Sequence, residues 1–266
     1  MKNHKKEKLS VLIKQLTNKI MENKYDYLDK LKHHLNQLRN LQSDKVAKAF
    51  DIEYTYESNK IEGNTLTLQE TALVIEKGLT IGGKSLNEHL EAVNHQNAIE
   101  YIKDLAKQNE TITERDLLQI HYLILQGINN EQAGKYRNLQ VLISGAKHVP
   151  PQPFLVAKEM ESLFLWYNEN KDKLHPVVLS AEMHERLVTI HPFIDGNGRT
   201  ARLLMNLILL QNGFPIAILK GDVESRLKYY SVLEMAQVEH NKEPFINLIA
   251  ENVEETMKRI IKTVEG

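Results

Sequence analysis

Leu28, Leu31, Leu35 and Leu38 recur at three- and four-residue intervals with Lys, Asp, Gln and Asn between them. That spacing lays one apolar stripe along an amphipathic helix. Two heptads fall short of the three or four a coiled coil needs, so the stripe is expected to dock on the protein's own core as an N-terminal helical segment within 1–42. It permits a homodimer seam without requiring one. A second helix is predicted from about Ser43 to Ile61, with Phe50, Tyr54 and Ile61 on one face and Gly63 as its stop. Thr67 and Glu70 have capping-box spacing and open a third helix that ends near Gly78. Helical periodicity returns around 85–107, 113–127 and 156–169, then from about Pro176 to Ile190. A strongly apolar helix follows from about Gly198 to Gln211, ended by Asn212-Gly213 and Pro215. Asp222 to Ala236 and Pro244 to Val264 form the last two helices.

One segment breaks this habit. Val141-Leu142-Ile143 is β-prone, Ser144-Gly145-Ala146-Lys147 has turn composition, and His148-Val149 leads into Pro150-Pro151. This predicts a short hairpin or flap. The expected fold class is therefore all-α with a short β-hairpin flap, without internal repeats or low-complexity linkers.

Composition narrows the function. The 266 residues carry 34 Lys+Arg against 35 Asp+Glu, a net charge of −1, which is not the electrostatic footprint of a nucleic-acid binder. The basic start (Lys2, Lys5, Lys6, Lys8) reads as a solvated tail rather than a nucleic-acid arm. Val11-Leu12-Ile13 is too short for a secretory core, and no apolar run approaches the roughly 20 residues that span a bilayer. Cysteine is absent, so zinc-thiolate sites, iron–sulfur clusters and cysteine nucleophiles are excluded, and a reducing cytoplasm suits the chain. His184-Glu185 begins like a zinc-protease helix, but Val188 stands where H-E-x-x-H needs histidine. Trp166 and Phe164 fit core packing better than a base-stacking platform.

Two segments could hold phosphate. Gly78-Leu79-Thr80-Ile81-Gly82-Gly83-Lys84-Ser85 matches G-x-x-x-x-G-K-[ST] at every fixed position, which opens the alternative of a P-loop NTPase or kinase. A true P-loop follows a buried strand, whereas Thr67, Glu70 and Glu76-Lys77 place a helix there, so a helix–helix connection is expected. The second segment is His191-Pro192-Phe193-Ile194-Asp195-Gly196-Asn197-Gly198-Arg199-Thr200-Ala201-Arg202. Gly196, Asn197 and Gly198 at a helix entry can form an anion nest at the positive helix end. Arg199 and Arg202, three apart, share a helix face and can grip a polyphosphate. Asp195 offers a hard oxygen to magnesium, and His191 is a base one loop away.

These residues resemble the Fic family, whose signature H-P-F-x-[DE]-G-N-[GK]-R-x-x-R is met throughout. The likeness runs from about Tyr54 to Ile249 and takes in Gly134-Lys135-Tyr136-Arg137, the flap and Tyr229-Tyr230. It implies a catalytic domain over 43–266 that moves a nucleotide monophosphate, usually AMP from ATP, onto a Tyr, Ser or Thr hydroxyl of a protein target, the chain itself included. Another nucleotide is the alternative within the family. By this resemblance His191 takes the proton from the attacking hydroxyl and Asp195 binds Mg2+, with Mn2+ as a substitute, near the α- and β-phosphates. Gly196, Asn197 and Gly198 form the nest, while Arg199 and Arg202 contact the β- and γ-phosphates. Val141, Leu142 and Ile143 of the flap hold the target as an added strand. Tyr229 and Tyr230 line the adenosine pocket, and Gln237 stands where close relatives place an adenine-reading Asn.

Ser58-Asn59-Lys60-Ile61-Glu62-Gly63-Asn64 resembles the family's inhibitory pattern [ST]-x-x-x-E-[GN], here ahead of the catalytic motif on a helix over about 43–63. Ser58 and Glu62 are four apart and so share one face. The resemblance implies that Glu62 pairs with Arg202 and blocks productive ATP placement. In some relatives the same glutamate orients a water that removes AMP.

Overall fold

A computed structural model of the chain describes residues 24–38 and 43–266. The basic start and the rest of the predicted 1–42 segment lie outside the described residues. Within α1 (24–38), Leu28 and Leu35 are buried in the main hydrophobic core and Leu31 packs against it, so the stripe faces the protein's own interior.

The capping residues draw the boundaries that follow. Ser43 caps α2 (Asp44–Ile61) by accepting from Val46 N. Thr67 and Glu70 form a reciprocal capping box on α3 (Leu68–Lys77), and Gly78 closes that helix in the left-handed conformation. Ser85 with Glu88 opens α4 (Leu86–Gln108), and Thr113 with Asp116 opens α5 (Glu114–Leu125). Each such box satisfies two helix-end donors that burial would otherwise leave unmet. A 3-10 turn at Pro153–Leu155 leads into α6 (Val156–Asn170). Then come α7 (Pro176–Ile190), α8 (Asn197–Gln211), α9 (Val223–Val238) and α10 (Glu243–Glu265).

Helix α8 is the pillar. It is buried on nearly every side and packs on α7, α4 and α5, its second half apolar on most faces and its first half polar. Leu203, Leu204, Met205 and Leu207 are all inaccessible, and each such side chain contributes about 1.5–3 kcal/mol by leaving water. Its one central amide, Asn206, exchanges two hydrogen bonds with the Ala217 backbone (3.2 and 2.8 Å) and so fixes the loop that leads to α9. The start of α8, where the His191–Arg202 motif ends, is thereby mounted on a deeply buried helix.

One expectation is met, the alternative it competed with falls, and one expectation needs correction. Gly78–Ser85 is a connection between two capped helices and not a P-loop. Lys84 Nζ donates to Thr65 O (2.6 Å) and Thr65 Oγ1 (3.0 Å), and Ser85 Oγ caps α4, so neither side chain is free for a nucleotide. The flap makes its turn, with Gly145 at φ 78° and Ala146 N donating to Ile143 O (3.1 Å), but no strand is formed among the described residues. Its carbonyls are met by side chains instead. Arg137 reaches Leu139 O and Pro151 O, and Gln140 reaches Pro150 O. Pro150 and Pro151 have no N–H to give a ladder. Among the described residues no helix is long and apolar enough to cross a membrane.

Candidate active site

Helix α7 ends at Ile190, and His191 caps it in the left-handed conformation (φ 50°, ψ 58°), its N–H still bonded to Leu187 O (2.9 Å). A non-glycine residue there costs roughly 1–2 kcal/mol, so the surroundings must hold it. They do so from three sides. Phe193 is fully buried and stacks on His121, with ring centroids 3.6 Å apart and planes 7° from parallel. The Asn197 side chain clamps the loop by accepting from Phe193 N and donating to Phe193 O, both 2.9 Å. Arg137, buried, donates from Nε to His191 O (2.8 Å), and its backbone N–H donates to Pro192 O (2.9 Å).

His121 is the floor of this loop. Gly134 N donates to its Nδ1 (3.0 Å), so Nε2 carries the proton that meets Asp195 O (3.0 Å). Burial pushes its pKa down to about 4, which keeps the ring neutral and the tautomer fixed. The catalytic candidate is set in the same manner. The contact between His191 Nδ1 and Val188 O (3.4 Å) requires the proton on Nδ1, because a carbonyl only accepts. Nε2 is left with its lone pair. Burial lowers the His191 pKa below the ordinary value, Arg137 adds to this, and the Val188 carbonyl opposes it. The ring is a neutral base at pH 7.

The start of α8 presents the anion site. Its first-turn N–H groups have no intrahelical acceptors and lie at the positive end of the helix dipole. The members differ in what they offer. Gly196 N already donates to Asp195 Oδ1 (2.6 Å), and the Asn197 side chain is turned inward, so the open donors are the backbone amides from Asn197 onward. Asp195 is 62% exposed, with Oδ2 3.3 Å from Arg199 Nη2. A single exposed carboxylate beside an anion site fits magnesium, which takes one or two carboxylates and completes its shell with phosphate oxygens and water.

Both arginines are buried, and both are engaged. Arg199 pairs with Glu91 (3.1 Å) and Asp195. Arg202, 1% exposed, donates from Nε to Ser58 Oγ (3.0 Å) and from Nη2 to Ser58 O (2.9 Å) and Glu62 Oε1 (2.7 Å). Burial works against the Arg202 charge, and the Glu62 carboxylate more than offsets it, raising the guanidinium pKa. Glu62 itself caps α2, its side chain 33% exposed. Its Oε1 lies where a side chain on Gly198 would begin. The carboxylate thus sits over the first turn of α8, between the helix end and Arg202.

The remaining site residues are arranged less simply. Tyr230, on α9, donates to Ile61 O (3.3 Å) beside Glu62. Tyr229 is buried among Phe245, His184 and Arg202: it shares a hydrogen bond with His184 Nε2 (3.2 Å), its ring lies 5.2 Å from that of Tyr230, and Arg202 and Glu62 both act on its hydroxyl. Gln237 lines a groove of about 280 Å³ between α6, α7 and α9, with Ser162, Thr189 and Ile190, and His191 is not part of its wall. The flap leans over this side. Lys147 Nζ pairs with Glu234 on α9 (2.8 Å), and His148 Nε2 donates to Thr189 O (2.8 Å). Leu142 is 78% exposed, while Val141 and Ile143 are half-buried.

Three supports of the site, His121, Arg137 and Glu91, carry no motif of their own, although Arg137 stands in the Gly134–Arg137 run. Only a buried cation and a histidine on the apolar face of α5 hint at them.

Residues 111–209 match the Fic/DOC family. The chain is 37% identical over 238 residues to a protein adenylyltransferase Fic of Drosophila persimilis, an alignment covering 89% of this chain and 45% of that one. With the protein of the same name from Nematostella vectensis the identity is 37% over 246 residues, covering 90% and 56%. The chain spans about half the length of these curated relatives. Among solved structures, Fic-1 from C. elegans superposes with a TM-score of 0.83 at 31% identity, covering 94% of this chain and 74% of that one. A Fic-domain-containing signaling protein from Bacteroides thetaiotaomicron gives 0.82 at 30% identity, covering 90% and 97%. This chain belongs to the Fic/DOC family.

Proposed function

We propose that the chain is a self-inhibited protein adenylyltransferase that moves AMP from ATP to a Tyr, Ser or Thr hydroxyl of a target protein, itself among the candidates. The observation that carries this reading is the Glu62 carboxylate lodged between Arg202 and Gly198 at the start of α8. A site that holds a carboxylate so closely is built for anions, and the neutral base His191 stands at the other end of the same loop.

The chemistry follows from these positions. His191 Nε2 takes the proton of the target hydroxyl as its oxygen attacks the α-phosphorus in line. The bond from that phosphorus to the bridging oxygen breaks, and pyrophosphate leaves. The α8 amides, with Arg199 and Arg202, hold the phosphates and the departing charge. Magnesium at Asp195, or manganese in its place, would neutralise phosphate oxygens when bound. The flap, with Leu142 exposed, lies where an extended target segment could run past His191. Tyr230 and Gln237 are the side chains that the nucleoside would meet.

Arg202 cannot serve Glu62 and a γ-phosphate at once, so Glu62 is the brake. The same carboxylate, a third exposed, is placed to orient a water for removal of AMP. The cysteine-free chain suits a cytoplasmic site of action.

The test incubates the protein with α-phosphate-labelled ATP, magnesium and a cell extract, beside Glu62→Gly. Weak labelling by the parent, strong labelling by the variant and none once His191→Ala is added are expected. Equal labelling by parent and Glu62→Gly removes the brake, and labelling that survives His191→Ala removes the transferase. Labelled GTP, CTP and UTP in parallel read the base preference, and label retained on a pre-modified target argues against AMP removal.

A further inference from the structure

The turn that carries Glu62 has a second attachment to the catalytic helix. Helix α2 stops because Gly63 takes φ 99°, and Asn64 N then folds back onto Asn59 O (3.1 Å), closing the helix in the manner of a Schellman cap. This leaves the Asn64 side chain pointing at α4. Its Nδ2 donates to Glu91 Oε2 (2.8 Å) and Glu88 O (3.1 Å), and its Oδ1 accepts from Leu66 N (2.9 Å). The other oxygen of the same carboxylate, Glu91 Oε1, receives Arg199 Nη1 (3.1 Å). Glu91 is 21% exposed and Arg199 4%, so this relay is partly shielded from water.

We infer that Glu91 and Asn64 are positioning residues of the brake: one carboxylate holds Arg199 with one oxygen and, through Asn64, the Glu62 turn with the other. The inference rests on the reading of Glu62 as inhibitory. It adds that both arginines of the motif are tied to the inhibitory turn, Arg202 directly and Arg199 through Glu91. The chemistry requires the coupling. A triphosphate drawn to Arg199 meets the Glu91 carboxylate as a like charge, and any retreat of Glu91 breaks one of the three bonds that fix Asn64, the one to a charged partner. Conversely, while Asn64 holds Glu91 in place, Arg199 is occupied and the Glu62 turn cannot swing away. Neither Glu91 nor Asn64 needs to touch the nucleotide for this to work.

The test is epistasis in labelling with α-phosphate-labelled ATP, read on the protein itself and in a cell extract. Asn64→Ala, which removes the tie but keeps Gly63 and Glu62, is expected to raise labelling about 5- to 10-fold over the parent, the worth of one ordinary, partly exposed hydrogen bond. Glu91→Gln keeps the shape of the side chain and turns an N–H toward Asn64 Nδ2 if its oxygen stays on Arg199; it is expected to activate as well. In the Glu62→Gly background Asn64→Ala should change labelling by less than about twofold, because the element it holds is already gone. A merely structural role lowers labelling in both backgrounds, and that result overturns the inference. Glu62→Gly that activates while Asn64→Ala and Glu91→Gln stay at the parent level overturns the relay and leaves the brake standing. Glu62→Gly without activation removes the brake itself, and the relay with it. Thermal melts of each variant identify loss of fold, and Glu91→Gln, nearly isosteric, decides the matter if Asn64→Ala does not fold.

Discussion

Gly198→Ala adds one methyl group at the crowded point of the site, and its effect on stability should change sign with the residue at 62. The new carbon would fall on Glu62 Oε1 and lie 3.1 Å from Arg202 Nη1. Backbone in the first turn of a buried helix cannot give way cheaply, whereas the end of the Glu62 side chain can. Withdrawal of Glu62 forfeits its 2.7 Å ion pair with Arg202. A hydrogen bond to a charged group is worth about 1.5–3 kcal/mol, and the partial exposure of Glu62 places this one toward the lower end. Alanine gains up to about 1 kcal/mol over glycine in a helix, and less in its first turn. The net in the parent is a loss of about 1 kcal/mol, which for a domain of this size lowers Tm by about 2–4 °C. In Glu62→Gly the obstruction is gone, and Arg202 Nη1 need move only a few tenths of an ångström. There the same substitution should leave Tm unchanged or raise it by up to about 2–4 °C. Thermal unfolding followed by circular dichroism, without nucleotide or metal, reads both backgrounds. A loss of equal size in the two would show that Glu62 does not rest on Gly198.

Other consequences follow from the same contacts. Burial lowers the His191 pKa and a base must be unprotonated, so kcat/KM of Glu62→Gly should hold through mildly acid pH and fall with a midpoint below 6.5; a midpoint at or above that value contradicts the placement of the ring. His121 and His184 are held neutral, burial pushing their pKa to about 4 and about 3, whereas the unfolded chain titrates them near 6.5. The unfolded state therefore binds more protons below 6.5. The stability tied to their neutral forms is complete above that pH and is lost as pH falls toward 4, at up to about 1.4 kcal/mol per pH unit for each. Tm should drop steeply through that window, and His121→Gln, although less stable at pH 7, should show a shallower drop. Arg137→Ala strips bonds from His191 O, Leu139 O and Pro151 O and should cost about 2–4 kcal/mol in urea unfolding. Arg137→Lys should fail to restore transfer by Glu62→Gly, because an ammonium cannot span three carbonyls as the guanidinium fork does.

The helices were legible because their ends are written locally. Thr67 with Glu70, Ser85 with Glu88 and Thr113 with Asp116 use side chains three residues apart, and no distant part of the chain is needed to make them work. The same holds for Ser58 and Glu62, whose four-residue spacing brings both to Arg202. The flap was less legible, since strand pairing depends on a partner, and here Arg137 and Gln140 take its carbonyls. Tyr229 and Tyr230 point to different neighbours because consecutive residues on a helix are about 100° apart. One of an adjacent pair must turn inward, and Tyr229 does so while its ring stays 5.2 Å from that of Tyr230. Glu91 and His121 could not be singled out. Each is an ordinary residue on an amphipathic helix, and its task is set by a loop more than 70 positions away.

On the proposed reading, brake and substrate compete for Arg202, and this limits how the enzyme can be released. Glu62 lies over the first turn of α8 and takes Arg202, a donor that a γ-phosphate requires. Any change that strengthens that donor strengthens both competitors, so the ratio between them is hardly altered. A tethered carboxylate also acts at an effective concentration of millimolar or more, and a ligand shifts an equilibrium only by its differential affinity for the two states. ATP alone is therefore a weak release signal. The ratio moves through groups that touch one competitor and not the other. Asp195, through its metal, belongs to the nucleotide alone, and Ser58 and Asn64 belong to the inhibitory turn alone. A partner or modification that frees the enzyme must act on that second set, on the α2 side of the cleft.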